Sequence, residues 1–141
     1  MPIDFLTMNA QAIAEFRANN GRCGPPFADT PIVLLTMKGA KSGRELCAPL
    51  AYSKHGEDLV VIASMGGAPN NPNWYHNLKT HPDITVEVGT DRYEATAVLT
   101  EGAERDSLFA AQAAKMGIFH KYAEKAAPRV IPVFRIVRKP A

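Results

Sequence analysis

The alternation of hydrophobic and polar positions divides the chain into short extended runs and a few helical stretches. Asp4–Asn19 carries apolar residues at helical spacing and ends in an Asn-Asn-Gly stop signal, which predicts an amphipathic N-terminal helix. Asn71-Pro72 offers a cap and a first helical residue, and it predicts a short helix over Pro72–Thr80. Glu104–Ala127 is rich in Ala, Glu and Lys and predicts one helix, or two that are divided at Gly117.

Six runs are extended in character, because their apolar residues alternate with polar ones or form short β-branched stretches without a helical period. Pro49 and Pro132 fall inside two of these runs and predict a strand edge, a bulge or a barrel corner. Strands and helices do not alternate regularly, which disfavours a doubly wound parallel sheet. We expect one α+β domain over residues 1–141, a small antiparallel barrel with peripheral helices. After a break at Gly24-Pro25-Pro26, the runs are Ile32–Met37, Glu45–Tyr52, Leu59–Ser64, Ile84–Val88, Tyr93–Leu99 and Val130–Val137.

Composition and charge narrow the function classes. With 141 residues the chain fits one domain, and its net charge of +2 provides no general field for nucleic acid. No apolar run is long enough to span a bilayer, and no export leader is expected. Cys23 and Cys47 lie far apart in sequence, and the four histidines show no ligand spacing, so we expect neither a disulfide framework nor a metal. Cys47 falls within a predicted strand and is interpreted as a small core residue, and the whole pattern predicts a reducing, cytoplasmic location.

A cluster of bases interrupts the otherwise mixed charge. Lys38, Lys41 and Arg44 fall within seven residues, between glycines that leave the backbone open to a ligand. Such a loop suits phosphate or carboxylate. It is not a P-loop, because it joins two predicted strands and not a strand to a helix. The alternative interpretation is a solvated hairpin tip.

The segment Ser64–Leu78, SMGGAPNNPNWYHNL, follows a predicted strand and holds the chain's single tryptophan. Its Gly66-Gly67 pair allows close approach of a ligand to the backbone, and the helix that follows begins with free amides. Trp74 could stack on a planar ring while Asn77 forms hydrogen bonds. Alternatively, Trp74 covers the barrel core and the asparagines serve as caps and turn residues. Three other aromatic residues are candidates for an apolar pocket: Tyr52, Phe119 and Tyr122.

Five segments in this order, GAKSG, PLAY, LVVIASMGG, NPNWYHNLKTHP and APRVIPVFRI, resemble the deazaflavin-dependent nitroreductase family from about Ile32 to Ile136. The spacing of ASxGGxxxNPxWYxNL from KSG is the most specific part. The resemblance implies a split β-barrel fold and the reduced deazaflavin coenzyme F420 as hydride donor. A coenzyme that carries the hydride chemistry requires neither a nucleophile nor a metal from the protein.

The resemblance also implies roles for particular residues. The KSG loop would hold the phosphate and acidic glutamate tail of F420, while Ser64, Trp74 and Asn77 would lie near the deazaflavin or its linker. Tyr122 is a candidate proton donor, with solvent as the alternative. The predicted coenzyme-binding residues are Lys38, Lys41, Ser42, Gly43, Arg44, Ala63, Ser64, Met65, Gly66, Gly67, Asn73, Trp74 and Asn77.

Three departures from the family pattern concern the acceptor and the tail. Leu46 stands where an Arg is common after KxG, which weakens the tail clamp or transfers its role to Arg44. Nitroimidazole-reducing members have a Tyr directly after Pro-Leu, whereas this chain has Ala51 and places Tyr52 next, on the opposite face of the strand. Their C-terminal helix supplies several tyrosines, whereas this one offers Tyr122.

The sequence therefore predicts an F420H2-dependent oxidoreductase that passes hydride to a conjugated acceptor: a quinone, an enone, an unsaturated lactone or a nitro compound. The rival hypothesis is a non-catalytic split barrel that holds FMN, a tetrapyrrole or a fatty acid. A small-molecule acceptor is the expected partner, and no nucleic acid is expected. Membrane contact through the N-terminal helix, and so a membrane-peripheral location, is left open, as is the oligomeric state.

Overall fold

The computed structural model describes residues 5–24 and 30–140, with side chains from residue 9 onward. The predicted helix start at Asp4, the Pro25-Pro26 break and the side chains of Phe5 and Met8 lie outside this description. The helices are α1 (Phe5–Ala18), α2 (Asn73–Thr80), α3 (Gly102–Lys115) and α4 (Ile118–Ala126). The strands are β1 (Ile32–Lys38), β2 (Glu45–His55), β3 (Asp58–Ile62), β4 (Asp83–Val88), β5 (Asp91–Leu99) and β6 (Val133–Arg138).

The six strands form a closed antiparallel barrel in the order β1-β2-β3-β6-β5-β4. Three hairpins supply half of the six pairings, and the β1–β4, β3–β6 and β5–β6 pairings close the wall. The fold predicted from the hydrophobic pattern is confirmed. β2 pairs with β1 over Glu45–Ala51 and with β3 only over Tyr52–His55, so Pro49 lies where one edge of β2 has no strand beside it. This position explains how a β2 proline is accommodated.

The barrel interior is filled by every second residue of each strand. In β1, Val33, Leu35 and Met37 point inward, whereas Ile32 and Leu34 pack against α1 on the outside. Because both faces of β1 are covered along its first four residues, Ile32–Leu35 is apolar throughout and does not alternate. The buried interior also contains Leu59, Val61, Leu78, Ile84, Val86, Ala95, Ala97, Phe134 and Ile136.

A second core lies outside the barrel, where α3 and α4 cover β3 and β6. Val60, Ile62 and Val133 point outward into this layer. They meet Leu108, Phe109, Ala113, Phe119 and Ala126 of the two helices. The helical stretch is divided at Gly117, as one of the two sequence interpretations expected.

The start of α2 differs from the prediction. Pro72 is extended, with φ −67° and ψ 158°, and is itself the cap residue, so the helix begins at Asn73. Asn71 therefore does not cap α2. Its side-chain oxygen instead accepts a hydrogen bond from Arg129 at 2.6 Å.

The barrel has two chemically different ends. At one end lie the β1–β2 loop, the residues that follow β3, and α2; we call this the α2 end. At the opposite end, the far end, lie the β2–β3 and β4–β5 turns around Gly56 and Gly89. Every predicted coenzyme-binding residue belongs to the segments of the α2 end.

Candidate coenzyme site

The β1–β2 loop presents its cations to solvent. Gly39 N–H donates to the Arg44 carbonyl at 2.8 Å and closes the loop, and Arg44 N–H donates to Ser42 Oγ at 3.1 Å. Lys38, Lys41 and Arg44 are exposed, and none forms an ion pair with any residue that the structure describes. Three uncompensated cations are thus available to an anionic ligand.

Asn77 joins this loop to α2. Its side-chain oxygen accepts a hydrogen bond from Ala40 N–H at 2.8 Å, and its Nδ2 lies 3.7 Å from the sulfur of Met37. The side chain is buried. These contacts therefore stabilise the fold, because a buried amide without hydrogen-bond partners is destabilising. Asn77 therefore ties the basic loop to α2.

A tight turn over Met65–Gly67 follows β3 and exposes its backbone. Met65, Gly66 and Gly67 all have positive φ, at 49°, 64° and 83°. Met65 and Gly66 are exposed, and a Cβ placed on Gly66 would meet no atom within 4 Å. The N–H groups of these two residues donate to no acceptor in the described chain. Ala63 and Ser64, which precede the turn, are buried.

Trp74 closes the barrel at the α2 end. Its ring lies 6.0 Å from that of Phe134, centroid to centroid, and the neighbouring Tyr75 contacts Phe134 at 5.9 Å. Trp74 is partly buried against the interior core, so packing explains one side of the ring. The remainder is accessible at the same end as the basic loop. Asn73 precedes it as an exposed residue.

Helix α4 lies against the glycine turn. A Cβ on Gly67 would come within 2.9 Å of Lys125 Cβ and 3.1 Å of the Tyr122 carbonyl oxygen, which explains why glycine is needed there. The Tyr122 ring packs edge-on against Phe119 at 5.5 Å. The backbone of Tyr122, the residue that carries the candidate proton donor, thus lies next to the turn.

Tyr52 does not belong with Tyr122 and Phe119, because the barrel wall separates them. Tyr52 packs with the interior core, and Ala51 packs with the outer layer that includes Tyr122. Grouping Tyr52 in one pocket with the α4 aromatics was wrong. The expected opposite orientation of Ala51 and Tyr52 agrees with this placement.

Arg129 is a residue that the sequence analysis missed. It lies between α4 and β6, and its guanidinium donates to the Ala63, Ser64 and Ala68 carbonyl oxygens. Burial lowers the pKa of Arg129. Carbonyl acceptors leave no side-chain signature in a sequence, and the one available signal was a single base among apolar residues in APRVIP.

A cleft of about 710 Å³ opens at the far end, away from these loops. Tyr52, Leu59 and Tyr93 form part of its wall, and Glu57, Asp58 and Asp91 line its rim. Its cations are Lys54, which is exposed, and Arg138, which lies 4.4 Å from the centre of the Tyr93 ring and 3.4 Å from Asp91. With three carboxylates against two cations, this voluminous cleft suits an anionic tail less well than the β1–β2 loop does.

Residues 5–24 and 30–140 contain neither a metal-binding cluster nor a membrane-spanning helix. No cluster of three His, Cys, Asp or Glu side chains is arranged to hold a metal ion. No described helix is both long enough and apolar enough to cross a bilayer. Cys23 and Cys47 are free thiols, and burial raises the pKa of both.

A closed barrel that gathers free cations and accessible backbone at one end defines the class of protein as a coenzyme-binding split β-barrel. Known proteins narrow this class. The sequence profile described as F420H(2)-dependent quinone reductase matches residues 9–138. The chain belongs to this family.

Individual relatives agree. The F420H(2)-dependent quinone reductase of Mycobacterium tuberculosis H37Rv is 40% identical over 85 residues, which cover 60% of this chain and 57% of that protein. The chain thus spans little more than half the length of this curated relative. A solved F420-H2 dependent reductase (FDR-A) is 36% identical, with a TM-score of 0.69 over 75% of this chain and 93% of its own. A structure described as a domain-swapped dimer is 32% identical, with a TM-score of 0.71 over 96% and 99% of the two chains.

The residues at the α2 end fit the coenzyme that this family name implies. An acidic tail with a phosphate requires cations, and three unpaired ones are present in the β1–β2 loop. A planar ring requires apolar walls and backbone donors, and the Met65–Gly67 turn offers free N–H groups near Trp74. The donor set therefore matches an anionic deazaflavin.

Proposed function

We propose that the protein is an oxidoreductase that uses reduced coenzyme F420 to reduce a quinone or another conjugated acceptor. The observation that carries the proposal is the meeting of an unpaired basic loop and a ligand-accessible glycine turn at one barrel end, in a chain of this family. The family match does not favour the rival, a carrier of FMN, a tetrapyrrole or a fatty acid. A fatty-acid carrier has little use for three clustered bases.

The residues divide the work between tail and ring. Lys38, Lys41 and Arg44 bind the acidic tail, and Ser42 and Gly43 shape the loop around it. Ser64, Met65 and Gly66, with the exposed part of Trp74, line the place for the ring, while Ala63, Gly67, Asn73 and Asn77 support these contacts. When bound, the deazaflavin supplies the hydride. The protein binds, orients and shields it from water.

Binding of F420 by purified protein, followed by its fluorescence, tests the proposal. We expect micromolar or tighter binding to the wild type and roughly fivefold weaker binding to Lys41→Ala, since an exposed cation contributes a modest, salt-screened attraction. Lys54→Ala is the matched control, because Lys54 is an exposed lysine at the far end.

Two results would overturn this proposal. Absence of F420 binding to the wild type removes the function altogether. Equal weakening by Lys41→Ala and Lys54→Ala removes the assignment of the tail to the β1–β2 loop.

The acceptor side lies on the outer face, where Ala51 and Tyr122 share one layer. Tyr122 or solvent supplies the proton that accompanies the hydride. We expect quinone and enone reduction to exceed nitroimidazole reduction, because Ala51 puts no ring where nitroimidazole-reducing members have tyrosine. Rates with a panel of acceptors at fixed F420H2 measure this. Tyr122→Phe should lower kcat about tenfold if the hydroxyl donates, and an unchanged kcat assigns the proton to solvent.

We also propose a cytoplasmic location without membrane contact by the described part of α1. Ala12 and Phe16, two of its apolar residues, are buried within the protein itself. Fractionation of cells that express the chain checks this, and recovery in the membrane fraction would contradict it.

A further inference from the structure

Every guanidinium N–H of Arg129 donates a hydrogen bond to one loop, residues 63–71. Its Nε donates to the Ala68 carbonyl at 3.0 Å, and its Nη1 donates to the Ala63 carbonyl at 3.1 Å and to Asn71 Oδ1 at 2.6 Å. Its Nη2 donates to the carbonyls of Ser64 at 2.9 Å and Ala68 at 2.7 Å. Arginine has five N–H donors, so none remains for a ligand. Arg129 can therefore affect a ligand chiefly through the loop that it holds.

The chemistry of these bonds depends on arginine. The partners of Arg129 are carbonyl and amide oxygens, and none of its described partners is a carboxylate. The guanidinium keeps its charge, so each bond is charge-assisted. A lysine would bring three donors on a single atom and could not span acceptors spread over residues 63–71.

The loop needs an external restraint. All three residues of Met65–Gly67 have positive φ, a backbone conformation that residues other than glycine rarely adopt. Its own bonds, from Gly67 N–H to the Ser64 carbonyl and from Ala68 N–H to the Met65 carbonyl, close local rings only. Contacts from distant sequence come from Arg129 on one side and from α4, packed on Gly67, on the other.

We propose that Arg129 is a positioning residue of the coenzyme site: it fixes Ser64–Asn71 so that the backbone of Met65 and Gly66 is in place before the coenzyme binds. This inference rests on the proposed function. Fixing the loop in advance removes an ordering cost from binding. Because Arg129 follows α4 directly, it also links the glycine turn to the helix that carries Tyr122.

Amide hydrogen exchange of the protein without coenzyme tests whether Arg129 fixes the loop before binding. The exchange is followed by NMR at the Gly67 and Ala68 amides. Arg129→Lys should speed their exchange about tenfold. The matched control is Arg105→Lys, because Arg105 is also partly buried and donates Nε and Nη2 to one carbonyl, that of Ile131, at 3.0 and 2.9 Å. It should leave both amides unchanged. Equal exchange in wild type and Arg129→Lys overturns the proposal.

F420 binding tests whether the loop held by Arg129 contributes to coenzyme affinity. Arg129→Lys should raise the dissociation constant about tenfold, whereas Arg105→Lys should change it less than about twofold. Asn71→Ala removes one of the partners and should give a smaller change in the same direction; it carries the test if Arg129→Lys does not fold.

The two proposals fail differently. A wild type that does not bind F420 refutes the proposed function. A wild type that binds, with unchanged affinity in both Arg129→Lys and Asn71→Ala, refutes the positioning role alone.

Discussion

Gly66 and Gly67 are neighbours with the same backbone handedness but different surroundings. A Cβ on Gly66 meets nothing within 4 Å, whereas a Cβ on Gly67 overlaps α4. The pair therefore separates the cost of a left-handed backbone from the cost of contact with a helix.

We expect Gly66→Ala to lower the free energy of unfolding by about 1 kcal/mol, the usual cost of a left-handed residue with a side chain. Gly67→Ala should lose about 2–4 kcal/mol, because overpacking is added to the same backbone cost. Urea denaturation of both variants measures the difference. Equal losses of unfolding free energy in the two variants would mean that α4 shifts to accommodate the added methyl group without an energetic penalty.

The sequence could locate the candidate residues because glycines, lysines and the single tryptophan are visible as residue types. It could not predict the role of Asn71, whose side-chain amide accepts a hydrogen bond from Arg129 and does not cap α2. Nor could it find Arg129, since that residue acts on main-chain oxygens that every position possesses. The coenzyme contacts of Lys41, Ser64 and Trp74 remain predictions that binding measurements must test.

At the scale of elements, α1 is attached to the barrel by apolar contact and by charge. Phe16 is buried against Ile32 and Leu34 of β1. Arg17 forms two hydrogen bonds with Glu87 of β4, at 3.2 and 2.9 Å. The apolar contact should dominate, because the arginine is about half exposed to solvent.

Phe16→Ala should lower the free energy of unfolding by about 3–4 kcal/mol, through lost burial and a cavity. Arg17→Ala, at the next position on the same helix, should cost less than about 1 kcal/mol. Thermal or urea unfolding distinguishes the two. A small effect of Phe16→Ala would show that α1 is detachable, which would reopen the question of membrane contact through this helix.

Most elements and several of their ends could be predicted from hydrophobic period and turn residues, whereas the end of β2 and the start of β6 could not. β2 continues to His55, three residues beyond the predicted Tyr52, because its last four residues pair with β3 where the pairing with β1 has ended. β6 begins at Val133 and not at Val130, since the preceding segment is occupied with the turn after β3: Ala63 N–H donates to the Pro132 carbonyl. Both differences arise from tertiary pairing that local pattern does not contain.

At the scale of the whole molecule, one closed barrel should unfold as a unit. Trp74 packs on Phe134 of β6 and reports on the α2 end, while the far-ultraviolet signal reports on all strands and helices. We expect coincident urea transitions from the two probes.

The single tryptophan makes this experiment free of assignment ambiguity. A fluorescence transition at lower urea than the circular dichroism transition would mean that the α2 end opens separately. The coenzyme site would then be the least stable part of the fold.

Because the two ends of the barrel differ, the protein can be attached to a surface at one end while the other end stays free. The turn at Gly56 has open space around it and lies opposite the basic loop, whereas the Gly89 turn is packed against Gly21, whose Cβ would lie 2.5 Å from Gly89 Cα. A cysteine label, an affinity peptide or an electrode linker inserted at the Gly56 turn would therefore leave the α2 end facing the solution. Immobilised in this orientation, every molecule on a surface would present the same face to coenzyme and acceptor.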